Sequence, residues 1–395
     1  MSSQRETECT WLPTGEEALQ EMLTAIAAAT RSVRLEMYIV NAGPIADEFR
    51  RALIHARQRG LRVRVLVDAF GSAYLPDSFW NPLRELGGEF RWFNPIGLRR
   101  VFIRDHRKIL VCDDEVAFVG GFNIATEYSG DGVKSGWCDL GLKVRGELVE
   151  ELGAAFDAMY AGADFKHKRF TRLRKSVRLK TVTVPQAKLF LGGPGRNNPI
   201  KGALLSDLKE ARAVTIISPY FLPPWKIRHQ LARLARSGAK VQLILAHKSD
   251  VPLMRLAGQS FYRRLLRAGV EIYEYQPQIL HAKLFIIDSV AFAGSANLDV
   301  RSLNINYELL IRLTNANTVR EGRELFDQIL GHSLRIDFAE WKKSRTFLQR
   351  VQARVAHFIF ARLDIFLSRR QVRWWKLSLR KVHEAKKHKT LEEKT

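Results

Sequence analysis

One short pattern occurs twice in this 395-residue chain, and it limits what the chain can fold into. The first copy reads His106-Arg107-Lys108, four residues, Asp113, then Gly120-Gly121 and Asn123. The second reads His281-Ala282-Lys283, four residues, Asp288, then Gly294-Ser295 and Asn297. A single His-x-Lys carries almost no information. Two copies with the same spacing to Asp and then to a glycine turn and Asn point to an internal duplication at the scale of a whole domain. Packing alone does not explain polar residues repeated inside apolar segments.

The flanking segments repeat in the same order. In the first half, a helix over residues 15–30 precedes a strand over 33–40. A helix from Pro44 to Arg59 is stopped by Gly60, and a strand follows over 63–67, ending at Asp68. A helix over 79–86 and a strand over 90–93 lead through a basic loop, 98–104, into the first motif. In the second half, strand 214–218, helix 226–236, strand 241–245, a helix over 259–267 and strand 270–275 lead into the second motif. This alternation predicts an α/β fold of two pseudo-symmetric α/β/α halves, each with a mixed, mostly parallel sheet, and a site at their interface. The expected boundaries are 1–165 for the first half, 166–180 for a linker, 181–336 for the second half and 337–395 for a tail.

The runs 109–111 and 284–287 are short, apolar and rich in β-branched residues, so each motif is expected on a buried strand. On a strand, residues i and i+2 share a face. His106 and Lys108 then point together, as do His281 and Lys283, while Arg107 and Ala282 point away. If the copies pack against each other, two imidazoles and two ammonium groups converge. One imidazole can attack phosphorus, and the other can protonate the leaving oxygen. The lysines neutralise phosphate oxygens, so no metal or other cofactor is required. By the same parity Asp113 and Asp288 face away and read as structural anchors.

An attacking imidazole needs its second nitrogen held by a partner. Asp139, in Trp137-Cys138-Asp139-Leu140, and Glu308, in Asn306-Tyr307-Glu308-Leu309, occupy matching positions after the two motifs and are the candidates. The alternative is two unrelated acids at strand edges. Asn123 and Asn297 can donate amide hydrogens to a phosphate oxygen, with main-chain N–H groups at the glycine turns. Glu36, Tyr38, Tyr220 and Phe221 fall at strand ends that either rim the site or fill the core.

The paired His-x-Lys-x4-Asp motif resembles the signature of the phospholipase D superfamily. Gly294-Ser295-Ala296-Asn297-Leu298-Asp299-Val300-Arg301-Ser302, running to Asn306-Tyr307-Glu308, is similar to the second motif of bacterial cardiolipin synthases, as is Ser218-Pro219-Tyr220-Phe221-Leu222-Pro223-Pro224. The resemblance covers roughly residues 10–335. It implies His106, Lys108, Asp113, His281, Lys283 and Asp288 as catalytic residues, the aspartates included although parity turns them away. Asn123, Asn297, Ser295, Asp139 and Glu308 are the supporting and phosphate-binding set. It further implies transfer of a phosphatidyl group through a phosphatidyl-histidine, with phosphatidylglycerol as substrate and cardiolipin as product. A hydrolase, a transphosphatidylase with another alcohol acceptor, and a nuclease of the same superfamily are the alternatives.

The formal net charge of +23 calls for a polyanionic partner, nucleic acid or an anionic membrane. The run 166–180 carries eight Lys or Arg and no acid, and reads either as a solvated linker or as a loop facing phosphates. From Phe338 to Thr395 there are 16 Lys or Arg against 5 Asp or Glu. Val351, Val355, Phe358, Ile359, Leu363 and Phe366 fall on one helical face there, with Arg350, Arg354, Arg369 and Arg370 outside it and Trp374-Trp375 following. Such a helix either lies in a membrane interface or packs on the protein's own core. This aromatic tail and the run 297–302 weigh against nucleic acid.

Three cysteines, Cys9, Cys112 and Cys138, with no Cys-x-x-Cys, argue against a disulfide framework and a zinc site, and Cys112 reads as core. No apolar leader and no apolar run of about 18 residues is present. The expectation is a peripheral protein on the cytoplasmic side of a bacterial inner membrane.

Overall fold

The computed structural model describes residues 6–95, 103–163, 180–195 and 197–360. Most of the basic loop before the first motif, the 166–180 run short of Lys180, and the tail beyond residue 360, with Trp374-Trp375, lie outside the described residues.

The first half is built on a seven-stranded sheet of β1 (Glu8–Leu12), β2 (Ser32–Met37), β3 (Arg62–Asp68), β4 (Glu89–Phe93), β5 (Ile109–Cys112), β6 (Val116–Gly120) and β7 (Gly141–Arg145), in the order β1-β7-β6-β5-β2-β3-β4. The second half is built on a nine-stranded sheet. Its strands are β8 (Thr181–Val184), β9 (Ala187–Gly192), β10 (Ala213–Ser218), β12 (Lys240–Ala246), β13 (Glu271–Tyr275), β14 (Leu284–Ile287), β15 (Val290–Gly294), β17 (Glu308–Leu313) and β18 (Ser333–Arg335). Two short strands, β11 (Phe221–Leu222) and β16 (Leu298–Asp299), pair with each other alone. Strand for strand, β1-β7-β6-β5-β2-β3-β4 repeats as β9-β17-β15-β14-β10-β12-β13.

The helices are α1 (Gly15–Ala28), α2 (Pro44–Gln58), α3 (Asn81–Glu85), α4 (Glu147–Ala161), α5 (Pro199–Asp207), α6 (Trp225–Arg236), α7 (Pro252–Gln259), α8 (Tyr262–Arg267), α9 (Ala316–Gly331), α10 (Phe338–Ser344) and α11 (Phe347–Phe358). Side-chain caps mark several starts: Thr14 accepts from Glu17 N, Asn198 from Ile200 N, and Asn315 from Asn317 N. The structure breaks the expected 259–267 helix at Ser260-Phe261 and places α7 before it, opened by Pro252 at its first turn.

The folds of the halves are mixed α/β, with less parallel pairing than the alternation implies. Within the two large sheets of the described residues, only β2-β3-β4 and β10-β12-β13 run parallel. Each motif strand folds straight back on the next, β5 on β6 and β14 on β15, because the intervening turns are too short for a crossover. Asp113 and Asp114 take positive φ of 58° in the first turn, as does Asp288, with φ 47°, in the second.

Alternation along the motif strands gives each sheet two apolar faces. Leu110 and Cys112 join α1 and α2 in the first half's own core, and Phe285 and Ile287 join α5, α6 and α8 in the second's. Ile109, Val111, Leu284 and Ile286 meet in a third core shared by both halves. The Trp11 indole N–H donates to Thr318 O across that seam at 2.8 Å.

Candidate active site

The motif residues sit just ahead of their strands, not on them: β5 starts at Ile109 and β14 at Leu284. The two lead-in segments are extended, and each is fastened to the opposite half. His106 N donates to Tyr307 O at 2.9 Å, and Tyr307 N donates to Arg104 O at 2.9 Å. His281 N donates to Cys138 O at 2.7 Å, and Cys138 N donates to Ile279 O at 2.9 Å. This clasp is reciprocal, so one pseudo-twofold relates the two.

Each clasp ends one residue before a carboxylate. Glu308, at the head of β17, therefore lands on the histidine of the first motif: His106 Nδ1 lies 3.1 Å from Glu308 Oε2. Asp139, two residues ahead of β7, lands on the histidine of the second: His281 Nδ1 lies 2.6 Å from Asp139 Oδ2. The pairs are exchanged between the halves. With Nδ1 engaged, Nε2 is the nitrogen left for chemistry.

The lysines fold back on their own histidines. Lys108 Nζ donates to His106 O at 2.7 Å, and Lys283 Nζ donates to His281 O and lies 3.0 Å from His281 Nδ1. Both are buried, and burial drives their ammonium pKa values down to about 7 for Lys108 and about 8 for Lys283. Burial lowers the His106 imidazole, opposed by Glu308 and reinforced by Lys108 and Lys283. Burial, then Lys283, Lys108 and His106, push the His281 imidazole well below its ordinary value. The four groups thus act on one another across the seam.

The carboxylates differ. Burial alone would raise Glu308, but the charges of His106 and Lys108 and the hydrogen bonds from His106 and Ser295 outweigh it and hold the carboxyl low. Ser295 Oγ donates to Glu308 Oε2 at 2.5 Å and accepts from Leu309 N at 3.0 Å. Asp139 is raised by burial to about 7, against the pull of Lys283 and Lys108. Its counterpart of Ser295 is Gly121, where a Cβ would stand 2.0 Å from Asp139 Oδ1. The shorter acid sits closer to the glycine turn, and only glycine fits beneath it.

The other expected residues divide. The Asn297 side chain is buried and its Oδ1 has no hydrogen-bond partner among the described residues. The Asn123 amide is already bound: Oδ1 accepts from Ile39 N at 3.1 Å and Nδ2 donates to the Tyr128 hydroxyl at 2.7 Å. The Ser295 hydroxyl is engaged by Glu308 Oε2 and Leu309 N. Asp113 and Asp288 lie at the far ends of their strands. Asp113 accepts from Thr30, Arg31 and Ser32 backbone N–H, and Asp288 from Arg212 and Ala213. Their geometry places them outside the reacting groups, as strand anchors. Tyr38 does rim the site: its ring lies 4.6 Å from the His106 ring, and Lys108 Nζ is 5.1 Å from its centroid. Glu36 does not. It is buried behind the strand in a two-pronged pair with Arg107, at 2.6 and 3.0 Å.

Sequence reasoning passed over a further ring of groups. Tyr128 and Trp137 pack on His281, with ring centroids at 5.2 and 5.5 Å. Asp68 lies buried at the end of β3, accepting from Phe70, Gly71 and Asp105 N–H. Arg104 reaches the same carboxylate at 3.5 Å. The position of Asp68 at the carboxyl end of a parallel strand was the available signal.

A family model described as "Cardiolipin synthase, PLD-like domain" matches residues 22–137 and 204–330, once in each half. Cardiolipin synthase 1 of Bacillus cereus is 32% identical over 346 residues, 84% of this chain and 68% of that protein. A cardiolipin synthase of Geobacillus kaustophilus is 32% identical over 361 residues, 88% of this chain and 71% of the relative. Among solved structures, phosphatidylserine synthase of Haemophilus influenzae superposes with a TM-score of 0.69 at 17% identity, over 91% of this chain and 94% of that one. Polyphosphate kinase of Porphyromonas gingivalis superposes with a TM-score of 0.58 at 15% identity, over 85% of this chain and 49% of that one. These two share the fold.

Proposed function

The chain belongs to the cardiolipin synthase, PLD-like domain family, and from that premise we propose that it is a phosphatidyltransferase making cardiolipin from two phosphatidylglycerols. The exchanged pairs, His106 with Glu308 and His281 with Asp139, carry this reading. They present two imidazoles with Nδ1 held and two ammonium groups beside them, which suits a phosphodiester attacked from one side and protonated on the other.

In the first step Nε2 of one histidine attacks phosphorus. The bond from phosphorus to the glycerol oxygen breaks, and the other histidine, protonated, gives its proton to that oxygen. Glycerol leaves and a phosphatidyl-histidine remains. In the second step the second histidine, now neutral, takes the proton from a hydroxyl of another phosphatidylglycerol. That oxygen attacks phosphorus, the P–N bond breaks, and cardiolipin is released. Lys108 and Lys283, with the Asn297 amide, stabilise the charge that builds on the non-bridging oxygens.

Incubation of the pure protein with phosphatidylglycerol in EDTA tests the reading. Glycerol and cardiolipin in equal amounts are expected, with a phosphohistidine adduct trapped by rapid quench into denaturant at alkaline pH, where the P–N bond survives. Glycerol with phosphatidic acid and no cardiolipin would reduce the protein to a hydrolase.

No described helix is long and apolar enough to cross a membrane.

A further inference from the structure

The loops that leave β3 and β12 occupy matching places in the two halves. The strands end at Asp68 and Ala246, and four residues beyond each end stand Ser72 and Asp250. In the first half the buried Ser72 hydroxyl accepts from Val40 N at 2.8 Å and donates to Tyr38 O at 3.3 Å, which fastens the chain leaving β2. In the second, Asp250 accepts from the Tyr220 hydroxyl at 2.6 Å, which fastens the chain leaving β10. A neutral, buried hydroxyl is enough for that task. The second half performs it with an exposed carboxylate, so the charge has another use. The Tyr220 hydroxyl has one proton to give, whereas a carboxylate can accept at about four lone-pair positions.

Asp250 stands on the His281 side of the seam. Strand β14 runs antiparallel to β10 with Leu284 opposite Ile217, so the second motif enters beside the carboxyl end of β10. Strand β12 runs parallel to β10, and its end therefore lies on that same side. Tyr220 precedes β11, where Phe221 pairs in parallel with Leu298, so the register sets Tyr220 beside Asn297. The Ser218 hydroxyl holds this arrangement, accepting from Leu298 N at 3.1 Å and donating to Tyr220 O at 3.0 Å. The charge of Asp250 acts on His281, on Lys283 and, from the other half, on Tyr128. Lys283 draws more support from Asp139 and Glu308 than from Asp250. A further negative charge here opposes a phosphodiester, so it serves some other part of the substrate.

We propose that Asp250, oriented by Tyr220, forms a polyol subsite: its carboxylate accepts hydrogen bonds from the free hydroxyls of the glycerol headgroup whose alcohol oxygen reacts at the seam. This rests on the phosphatidyltransferase reading and names what that site selects in an alcohol. An ionised carboxylate is an acceptor only, so its match is a group rich in donors. Glycerol brings hydroxyls beyond the one that reacts, and a simple alcohol brings none. An ammonium headgroup also donates, but Lys108 and Lys283 lie against the same histidines and repel it. A neutral polyol meets no such opposition. The subsite holds the glycerol that leaves in the first step and the one that enters in the second, because each step is the chemical reverse of the other.

The test reads a partition ratio, which does not depend on how fast the intermediate forms. The full chain is given a phosphatidyl p-nitrophenyl ester, whose leaving group carries no second hydroxyl, with glycerol, ethanol and ethanolamine at equal concentration. Every transfer product then comes from one phosphatidyl-histidine, and lipid mass spectrometry reads their ratio. Wild type is expected to favour glycerol over both competitors. Asp250→Asn is expected to lower the ratio of phosphatidylglycerol to phosphatidylethanol about tenfold, the size of one hydrogen bond to a charged group. Asp250→Ser, which copies Ser72 of the first half, is expected to give a similar shift. Tyr220→Phe is expected to give a smaller one, since the carboxylate remains. A purely structural Asp250 would lower all products together, so an unchanged ratio in both Asp250 variants overturns the subsite. So does a wild type that makes as much phosphatidylethanol as phosphatidylglycerol. A preference for ethanolamine that Asp250→Asn abolishes would assign the carboxylate to an ammonium and overturn the polyol. Release of p-nitrophenol without transfer to any alcohol overturns the subsite and leaves a hydrolase. No release of p-nitrophenol at all is the separate failure of the two-histidine reading, and the subsite falls with it.

Discussion

The two halves share strand order, motif spacing and the reciprocal backbone clasp, yet they support the seam in different ways. The carboxylate lent by the second half, Glu308, is long, ionised and braced by the Ser295 hydroxyl. The one lent by the first, Asp139, is shorter, sits over Gly121 and is pushed up to about 7. Behind the first motif, Arg107 and Glu36 form a buried pair. At the matching register of the second stand Ala282 and Ile217, both wholly apolar and buried. Asn123 is tied to its own half, while Asn297 keeps an unpartnered oxygen. Duplication preserved the frame that positions two histidines, and substitution then made their surroundings unequal. That inequality suits the proposed reaction, in which one imidazole attacks and the other carries a proton.

The largest test removes an imidazole. His106→Ala and His281→Ala are each expected to lower cardiolipin formation by at least about 10⁴-fold, because general acid–base and nucleophilic roles act as a unit. Lipid mass spectrometry reads the product, and retention of full activity in either variant breaks the pairing of the halves.

Next comes the contrast between the carboxylates. Glu308→Gln is expected to cost about 10³-fold in kcat, and Asp139→Asn less, since burial pushes the Asp139 carboxyl up to about 7 and the neutral amide resembles its protonated form. Equal losses would show that the asymmetry has no chemical consequence.

The buried pair offers a stability test. Arg107→Ala removes the guanidinium that pairs with the buried Glu36, and a loss of about 3–5 kcal/mol is expected by denaturant unfolding. Replacing Arg107 and Glu36 together by Ala and Ile, copying the second half, is expected to recover most of it. A smaller loss is expected for Gly121→Ser, about 1–3 kcal/mol, as the new Cβ meets Asp139.

The smallest expected effect is on pH dependence. Lys108 and Lys283 lose their charge as pH rises through about 7 and about 8. Phosphate binding then weakens, so kcat/KM is expected to fall across that window, about tenfold per unit at most for each lysine. The stability sign is opposite. The folded protein binds fewer protons than the unfolded chain between those values and the ordinary lysine pKa, so unfolding free energy should rise with pH there. A profile flat to pH 9 would remove the lysines from substrate binding.

Much of this was readable from residue order. The offset shared by His106 and His281 foretold two like halves, and the apolar runs located β5 and β14 closely. Parity turned Asp113 and Asp288 away from the seam, where they anchor Thr30–Ser32 and Arg212–Ala213. Other features were hidden. Helix α7 opens on a proline and is too short for a clear apolar period. Arg107 and Glu36 are far apart in sequence, and nothing local says that two charges will be buried together. The tail stripe was visible, but not which side would face the protein: Ala353 and Ala356 pack inward because small residues let α11 approach α7 closely, leaving the large ones outside.

Sequence by itself determined the duplication, the residue types at each motif and the faces of each strand, because these follow from spacing and local geometry. Tertiary structure decided that Glu308 belongs to His106 and Asp139 to His281. That exchange depends on how two whole sheets meet across a shared core, and no interval along the chain encodes it.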